Sequence, residues 1–391
     1  MTLIIALLVA PLTALTLCFA LEVFAGLRPS ATWLFAEPGH HVRSTIVIPA
    51  HNEEAILAAT LQTLQQALPS SARILLVADN CIDSTPAIAS QAGVQVIERR
   101  DTERRGKGFA LDFARNHLKA DPPDVVVVID ADCSIDGHSM AGLARTCAAT
   151  ARPCQATNLQ KPAFDGSIAV QMSTFAFFIK NVIRQRGLQR LAGRANLLGT
   201  GMAFPWAIFR DADLATSNIA EDMKLGHDLA MTGHAPLFVE QATVWSNAET
   251  KANTLSQRRR WEGGFLRNAL QTGPRLLGRS LLQADPRGVW GAIHVMIPPL
   301  ALLVVLDLAA AVVAGIRTLI WRADWWPLVL LGGSMILAFT AVGFAWRAGG
   351  QRFITAAGLC RIPLYVAWKL PMYLGFLRGG APDEWQRTER P

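Results

Sequence analysis

Residues Val125–Cys133 read VVVVIDADC. Four valines and an isoleucine in unbroken succession describe a strand built for burial, of the kind found in parallel sheets covered on both faces. Three further short runs share that character: Ser44–Pro49 (STIVIP), Arg73–Asp79 (RILLVAD) and Val94–Glu98 (VQVIE). Helical patterns lie between them. Ile56, Leu57, Leu61, Leu64 and Leu68 recur at the 3.6-residue period behind Asn52, a candidate cap. Thr85–Pro86 suits a helix start and Gly93 its end. Strand–helix alternation of this kind predicts an α/β domain over 44–285, with a Rossmann-like, mostly parallel sheet.

The chain is also expected to enter a membrane. Only 17% of its 391 residues are charged, against 51% hydrophobic, whereas a soluble protein carries about 25% charged residues. Residues 1–27 are apolar apart from Glu22 and long enough to cross a hydrocarbon core of ~30 Å. With Glu22 as the first charge and so no basic start, they read as an uncleaved anchor. Arg28 and Arg43 then put the following domain in the cytoplasm, and the expected location is a bacterial inner membrane. Residues 289–377 supply three more apolar stretches, followed by a polar tail over 378–391. Trp325–Trp346 contains no charge. Val289–Gly315 is interrupted by Pro298, Pro299 and Asp307, and Phe353–Leu377 carries Arg361, Pro363, Lys369 and Pro371. The latter stretch spans, kinks or lies in the interface. Asp307 inside a span is either functional or paired within the bundle.

Charge and composition narrow the partners. The net charge of +7 fits nucleic acid, a membrane surface or phosphorylated substrates. Nucleic acid is excluded for want of a helix-turn-helix, ribonucleoprotein or zinc pattern. The six cysteines form no CxxC pair, which argues against a zinc site or disulfide framework. His227 and His234, in GHDLAMTGH, read as surface or loop residues. Over Phe175–Arg194 the large apolar side chains alternate with Lys180, Arg184, Arg186, Arg190 and Arg194. This is an amphipathic helix lying on an anionic leaflet, or else a domain helix packed on the sheet.

In α/β sheets, ligands bind beyond the carboxyl ends of the strands. Polar loops follow all four apolar runs there: PAHNEE, DNCIDST, RRDTERRGKG and DADC. Asp130 and Asp132, two apart, would point to the same side of an extended strand. Two carboxylates so close raise each other's pKa unless a cation sits with them. Hard oxygen donors suit Mg2+ or Mn2+. The pair therefore reads as a clamp on a metal-bound diphosphate. Asp79 can accept from a base or ribose or close an Asx-turn. Glu53 sits at a helix start, and Lys107 between two glycines offers a cation for phosphate on a flexible loop.

Taken in order, VIPAHNEE, VADNCIDST, GKGFALDF, VVVVIDADC, GTGMAFP, AEDMKLG and QRRRW resemble the membrane-bound branch of the family 2 glycosyltransferases. That branch includes cellulose, chitin and hyaluronan synthases and ceramide glucosyltransferase. The likeness covers about Ser44 to Leu270 and implies a GT-A fold, a nucleotide-sugar donor, usually a UDP-sugar, and inversion to a β-linkage. By the same resemblance Glu53 and Asp79 hold the nucleoside. Asp130 and Asp132 hold the metal, and Asp222 is the general base. Gln257, Arg260 and Trp261 lie near the diphosphate and acceptor, while Gly199, Thr200, Gly201 and Glu221 border the acceptor. Ala220 stands where the family has threonine, and DNCIDST replaces the commoner Asp-Asp-Gly-Ser-Thr-Asp. The expected activity is extension of a β-linked polysaccharide, with an oligomer or export partner completing a channel. The alternative is transfer of a single sugar to a membrane lipid.

Overall fold

The computed structural model describes residues 2–29, 41–164, 167–218, 220–247, 251–321 and 324–379. A long N-terminal helix, α1 (Thr2–Gly26), precedes eight strands. These are β1 (Ser44–Ala50), β2 (Ala72–Asp79), β3 (Gln95–Arg99), β4 (Val125–Val128), β5 (Cys133–Ile135), β6 (Cys154–Gln160), β7 (Met202–Pro205) and β8 (Leu237–Ser246). They form one sheet in the order β3-β2-β1-β4-β7-β6-β8-β5. Parallel pairing joins β1 to β2 and β4, β2 to β3, and β6 to β8, while β4–β7, β6–β7 and β5–β8 are antiparallel. Six strands therefore run one way and only β5 and β7 run back.

The valines of β4 show why the run is continuous. Val125 and Val127 enter the apolar cluster on one face, and Val126 and Val128 enter the cluster on the other. Helices α2 (Glu54–Ala67), α3 (Thr85–Gln91) and α5 (Gly137–Thr150) cover the first face through residues such as Leu57, Leu61, Ala89 and Leu143. The second face is covered by α4 (Lys107–Leu118), α8 (Trp206–Asp211) and α9 (Glu221–Met231). Asn52 does not cap α2. It sits two residues before the helix at φ +56°, and its Oδ1 accepts from the Ile82 amide at 2.8 Å. Asn80 adopts the same left-handed conformation at the end of β2, and asparagine tolerates it better than most side chains.

Residues Phe175–Arg194 are mostly buried, packed against the membrane helices, with Lys180 and Arg190 exposed. Helix α6 (Ile168–Phe178) runs through a π-helical turn, Ile179–Ile183, into α7 (Arg184–Ala192). Arg184 and Arg186 point inward and are buried. Arg184 Nε lies 2.5 Å from Glu22 Oε2 of α1, and Arg186 pairs with Glu240 of β8. Of the charges that suggested a wet face, Arg184 and Arg186 thus answer carboxylates brought from distant parts of the chain, while Arg190 donates to the Arg28 and Pro29 carbonyls.

Beyond the sheet come α10 (Lys251–Leu282), α11 (Pro286–Met296), α12 (Leu300–Trp321), α13 (Trp326–Arg347), α14 (Ala356–Leu359) and α15 (Ile362–Gly379). Three helical stretches are long and apolar enough to cross a membrane: Val9–Gly26, Leu300–Ile320 and Trp326–Arg347. The stretch Val289–Gly315 is consequently divided. The chain breaks at Pro298–Pro299, leaving α11 outside the span and α12 within it. Among the described residues, α15 is not one of the spanning helices. Its Lys369 pairs with the buried Glu262 of α10, and Tyr373 Oη donates to the same carboxylate at 2.9 Å. Asp307 is held inside the bundle, where it accepts from Thr16 Oγ1 of α1 at 2.8 Å. The tail residues 380–391 lie outside the described residues.

Helix α1 meets α7 backbone to backbone. A Cβ on Gly26 would fall 1.8 Å from the Ile183 carbonyl oxygen, and one on Gly187 would fall 2.1 Å from that of Glu22. No side chain fits either crossing.

Candidate active site

The strand directions decide where the polar loops meet. The carboxyl ends of β1, β2, β4, β6 and β8 share one edge, and the reversed β7 and β5 begin there. Antiparallel pairing thus sets the Gly199–Gly201 loop, which leads into β7, against the end of β4. Its Gly201 amide donates to the Val128 carbonyl at 2.9 Å. A cavity of about 760 Å³ opens over this edge.

Asp130 and Asp132 lie in this cavity, though not as neighbours on a strand. Strand β4 ends at Val128, and the two aspartates occupy the turn before β5. The turn gathers what an extended strand would have kept in line. Ligand atoms of Asp130, Asp132 and Cys133 all fall within 4.8 Å of one another. The Asp130 amide donates to Thr200 Oγ1 at 3.1 Å, tying the turn to the glycine loop. Burial and the two aspartates push the Cys133 thiol well up, and the two carboxylates are the hard oxygen donors of the set.

Lys107 is not on a flexible loop. It is the first residue of α4, and the preceding Gly106 holds φ +129°. Its ammonium pairs with Asp130 and donates to the Gly199 carbonyl at 2.8 Å. Burial opposes the charge, but Asp130, Glu221 and Asp222 outweigh it and raise the pKa.

Glu221 and Asp222 form the first turn of α9 and enter the same cavity. The Met223 amide donates to Asp222 Oδ1 at 2.7 Å, leaving Oδ2 toward the glycine loop. A Cβ on Gly199 would lie 3.3 Å from that oxygen and 3.7 Å from Lys107 Nζ. Burial raises both carboxyls, and the charge of Asp222 helps to bring Glu221 to about 8. The residues at 107, 130, 199 and 222 come from four separate segments, and only the fold brings them together.

The nucleoside positions lie at the other end of the cavity. Asp79 is buried at the end of β2, where Arg99 Nη1 donates to its Oδ1 at 2.7 Å. Burial pushes this carboxyl up, and Arg99 works against that shift. Glu53 precedes α2, its amide donating to Thr85 Oγ1 at 2.7 Å. Trp261, on α10, forms part of the cavity wall with its ring centroid 5.8 Å from that of Phe177. Arg258 stacks 5.5 Å from the Trp261 ring and donates to the Ser173 carbonyl at 2.8 Å, fixing α10 against α6. The side chains of Gln257 and Arg260 lie outside the described residues.

Two supporting residues escaped the sequence reading. Arg99 was one of several arginines in a loop-like run, but its place on β3 turns it inward. Gln155, fully buried on β6, donates to the Thr200 carbonyl at 2.9 Å and accepts from the Leu198 amide at 2.9 Å. It braces the glycine loop from behind. His227, expected at the surface, is 2% exposed.

A family model described as glycosyltransferase like family 2 matches residues 41–264. An uncharacterized glycosyltransferase of Mycobacterium tuberculosis H37Rv is 37% identical over 99 residues, which is 25% of this chain and 41% of that protein. The low-salt glycan biosynthesis hexosyltransferase Agl6 of Haloferax volcanii is 32% identical over 101 residues, 25% of this chain and 23% of that one. The chain thus spans less than half the length of these relatives. Among solved structures, a mannosyltransferase from Pyrobaculum calidifontis, in complex with GDP-Man and Mn2+, is similar in fold. It superposes with a TM-score of 0.57 at 15% identity, over 95% of this chain and 99% of that one.

Proposed function

The chain belongs to glycosyltransferase-like family 2, and on that basis we propose that it transfers a sugar, with inversion, from a nucleotide-sugar donor to an acceptor at the membrane. The observation that carries this reading is the shared cavity, in which Lys107, Asp130, Asp132, Asp222 and Trp261 face one space. Asp130 and Asp132 would hold a divalent cation, Mg2+ or Mn2+, whose charge favours departure of the diphosphate. Lys107 adds a cation beside them, and Glu53 and Asp79 take the nucleoside, with UDP the expected one. Trp261 offers a flat apolar face to a sugar ring. Asp222 accepts the proton of the acceptor hydroxyl as that oxygen attacks the anomeric carbon and the nucleoside diphosphate leaves. Its raised pKa makes it a stronger base than an ordinary carboxylate.

Polymer extension, the first reading of the sequence, needs a passage across the bilayer. Helices α1, α12 and α13 pack on one another, with Val9, Ala310, Ala314 and Leu331 forming a shared apolar cluster. That packing favours the second reading, transfer of a single sugar to a membrane lipid. Membranes containing the full chain, incubated with a panel of UDP- and GDP-sugars and examined by mass spectrometry, test both. A single glycolipid is expected. A ladder of products would favour the polymer, and no transfer from any donor would remove the reading.

A further inference from the structure

A second cavity, of about 420 Å³, lies between α9 and α10. Among the described residues it shares only Asn218 with the acidic cavity. Its charge is opposite. Lys224, Arg267, Arg275 and Arg279 line it against the single carboxylate of Asp228, which Lys224 already holds at 2.7 Å. Arg267, Arg275 and Arg279 fall at multiples of four residues along α10, so they lie along one strip of that helix.

Two buried polar groups also line this cleft. Asn268 is 4% exposed, and its Oδ1 accepts from Thr272 Oγ1 at 2.6 Å. Its Nδ2 has no hydrogen-bond partner among the described residues, and the ring of His227 is buried beside it. Burial, aided by Arg194 and His294, brings the His227 pKa down to about 3, so the ring is neutral and offers one donor and one acceptor. Buried polar groups are rarely left unpaired, and here they accompany a basic, open cleft.

We propose that this cleft is a binding site for a phosphate-bearing ligand, with the guanidinium groups of Arg275 and Arg279 as its main contacts and Asn268 as its polar floor. Planar guanidinium groups match phosphate oxygens in paired hydrogen bonds. Two sources carry that chemistry, a lipid headgroup and free phosphate. The site is separate from the donor's diphosphate position and does not depend on the transfer reaction.

The test uses the full chain in nanodiscs. Inorganic phosphate is titrated calorimetrically into phosphatidylcholine discs, and phosphatidylglycerol discs are compared with phosphatidylcholine discs for their effect on the melting temperature. Arg275 and Arg279 are exposed, so R275A/R279A should fold as the parent does, which circular dichroism checks. The double variant should bind phosphate roughly tenfold more weakly or worse, while K107A should retain that binding. If only the phosphatidylglycerol effect is lost in R275A/R279A, the source is a lipid headgroup and the proposal stands. If phosphate binding and the phosphatidylglycerol effect are both unchanged in R275A/R279A, or neither is present in the parent, the proposal is overturned.

Discussion

Asp222 sits with one carboxylate oxygen bound by its own helix and the other facing the glycine loop, an arrangement suited to proton uptake. Asp222→Asn keeps the shape and removes the base. Transfer should fall by ~10²–10⁴-fold, with nucleotide binding measured by calorimetry unchanged. The raised pKa values of Glu221 and Asp222 give the sign of the pH dependence. A base must be deprotonated to act, so activity should rise with pH over a range above that of an ordinary carboxyl. Glu221, raised to about 8, still holds its proton over that range, so Glu221→Gln should leave the position of the rise in place. Gly199 holds φ +84° close to Asp222. Gly199→Ala therefore strains the backbone, by about 1–2 kcal/mol, and should lower the turnover rate more than it lowers the melting temperature. Asp130, Asp132 and Asp222 were legible in the sequence because short motifs carry them. Arg99 and Gln155 were not, because their roles rest on partners in other segments that no local pattern announces.

At the scale of elements, the β4 strand was readable because burial on both faces leaves a local mark. The α6–α7 segment stayed open between two readings because Arg184 and Arg186 pair with Glu22 and Glu240, 162 and 54 residues away. Glu22 is fully buried, where it also bonds His294 of α11. Breaking one partner of such a cluster typically costs about 3–5 kcal/mol. Glu22→Leu should accordingly lower the melting temperature of the purified protein by several degrees, and an unchanged value would count against the cluster. The division of Val289–Gly315 follows from Pro298–Pro299, where the chain has no amide hydrogens to continue a helix. The sequence contained the break but not the side of it on which the span would begin.

For the whole molecule, α6 and the turn after it tie the membrane helices to the domain, with Leu159 of β6 and Trp245 of β8 packed against their apolar cluster. One apolar cluster runs from Phe19 and Val23 of α1 through Phe178 and Ile183 to Ala341 of α13. The chain should therefore melt as a unit. A nucleoside diphosphate with Mn2+ at a hundredfold excess over its Kd stabilises the folded state by about 2.7 kcal/mol. The shift should appear equally in far-ultraviolet dichroism and in the fluorescence of Trp325 and Trp326 at the start of α13. Asp132→Ala or a chelator should abolish it, and two separate transitions would contradict a single unit. The direct backbone crossing of α1 and α7 adds a mechanical consequence. With Gly26 and Gly187 leaving no room for play, α1 cannot lean in a thinner bilayer without levering Arg184, which borders the cavity. Catalytic rate should accordingly vary with the acyl-chain length of the surrounding lipid.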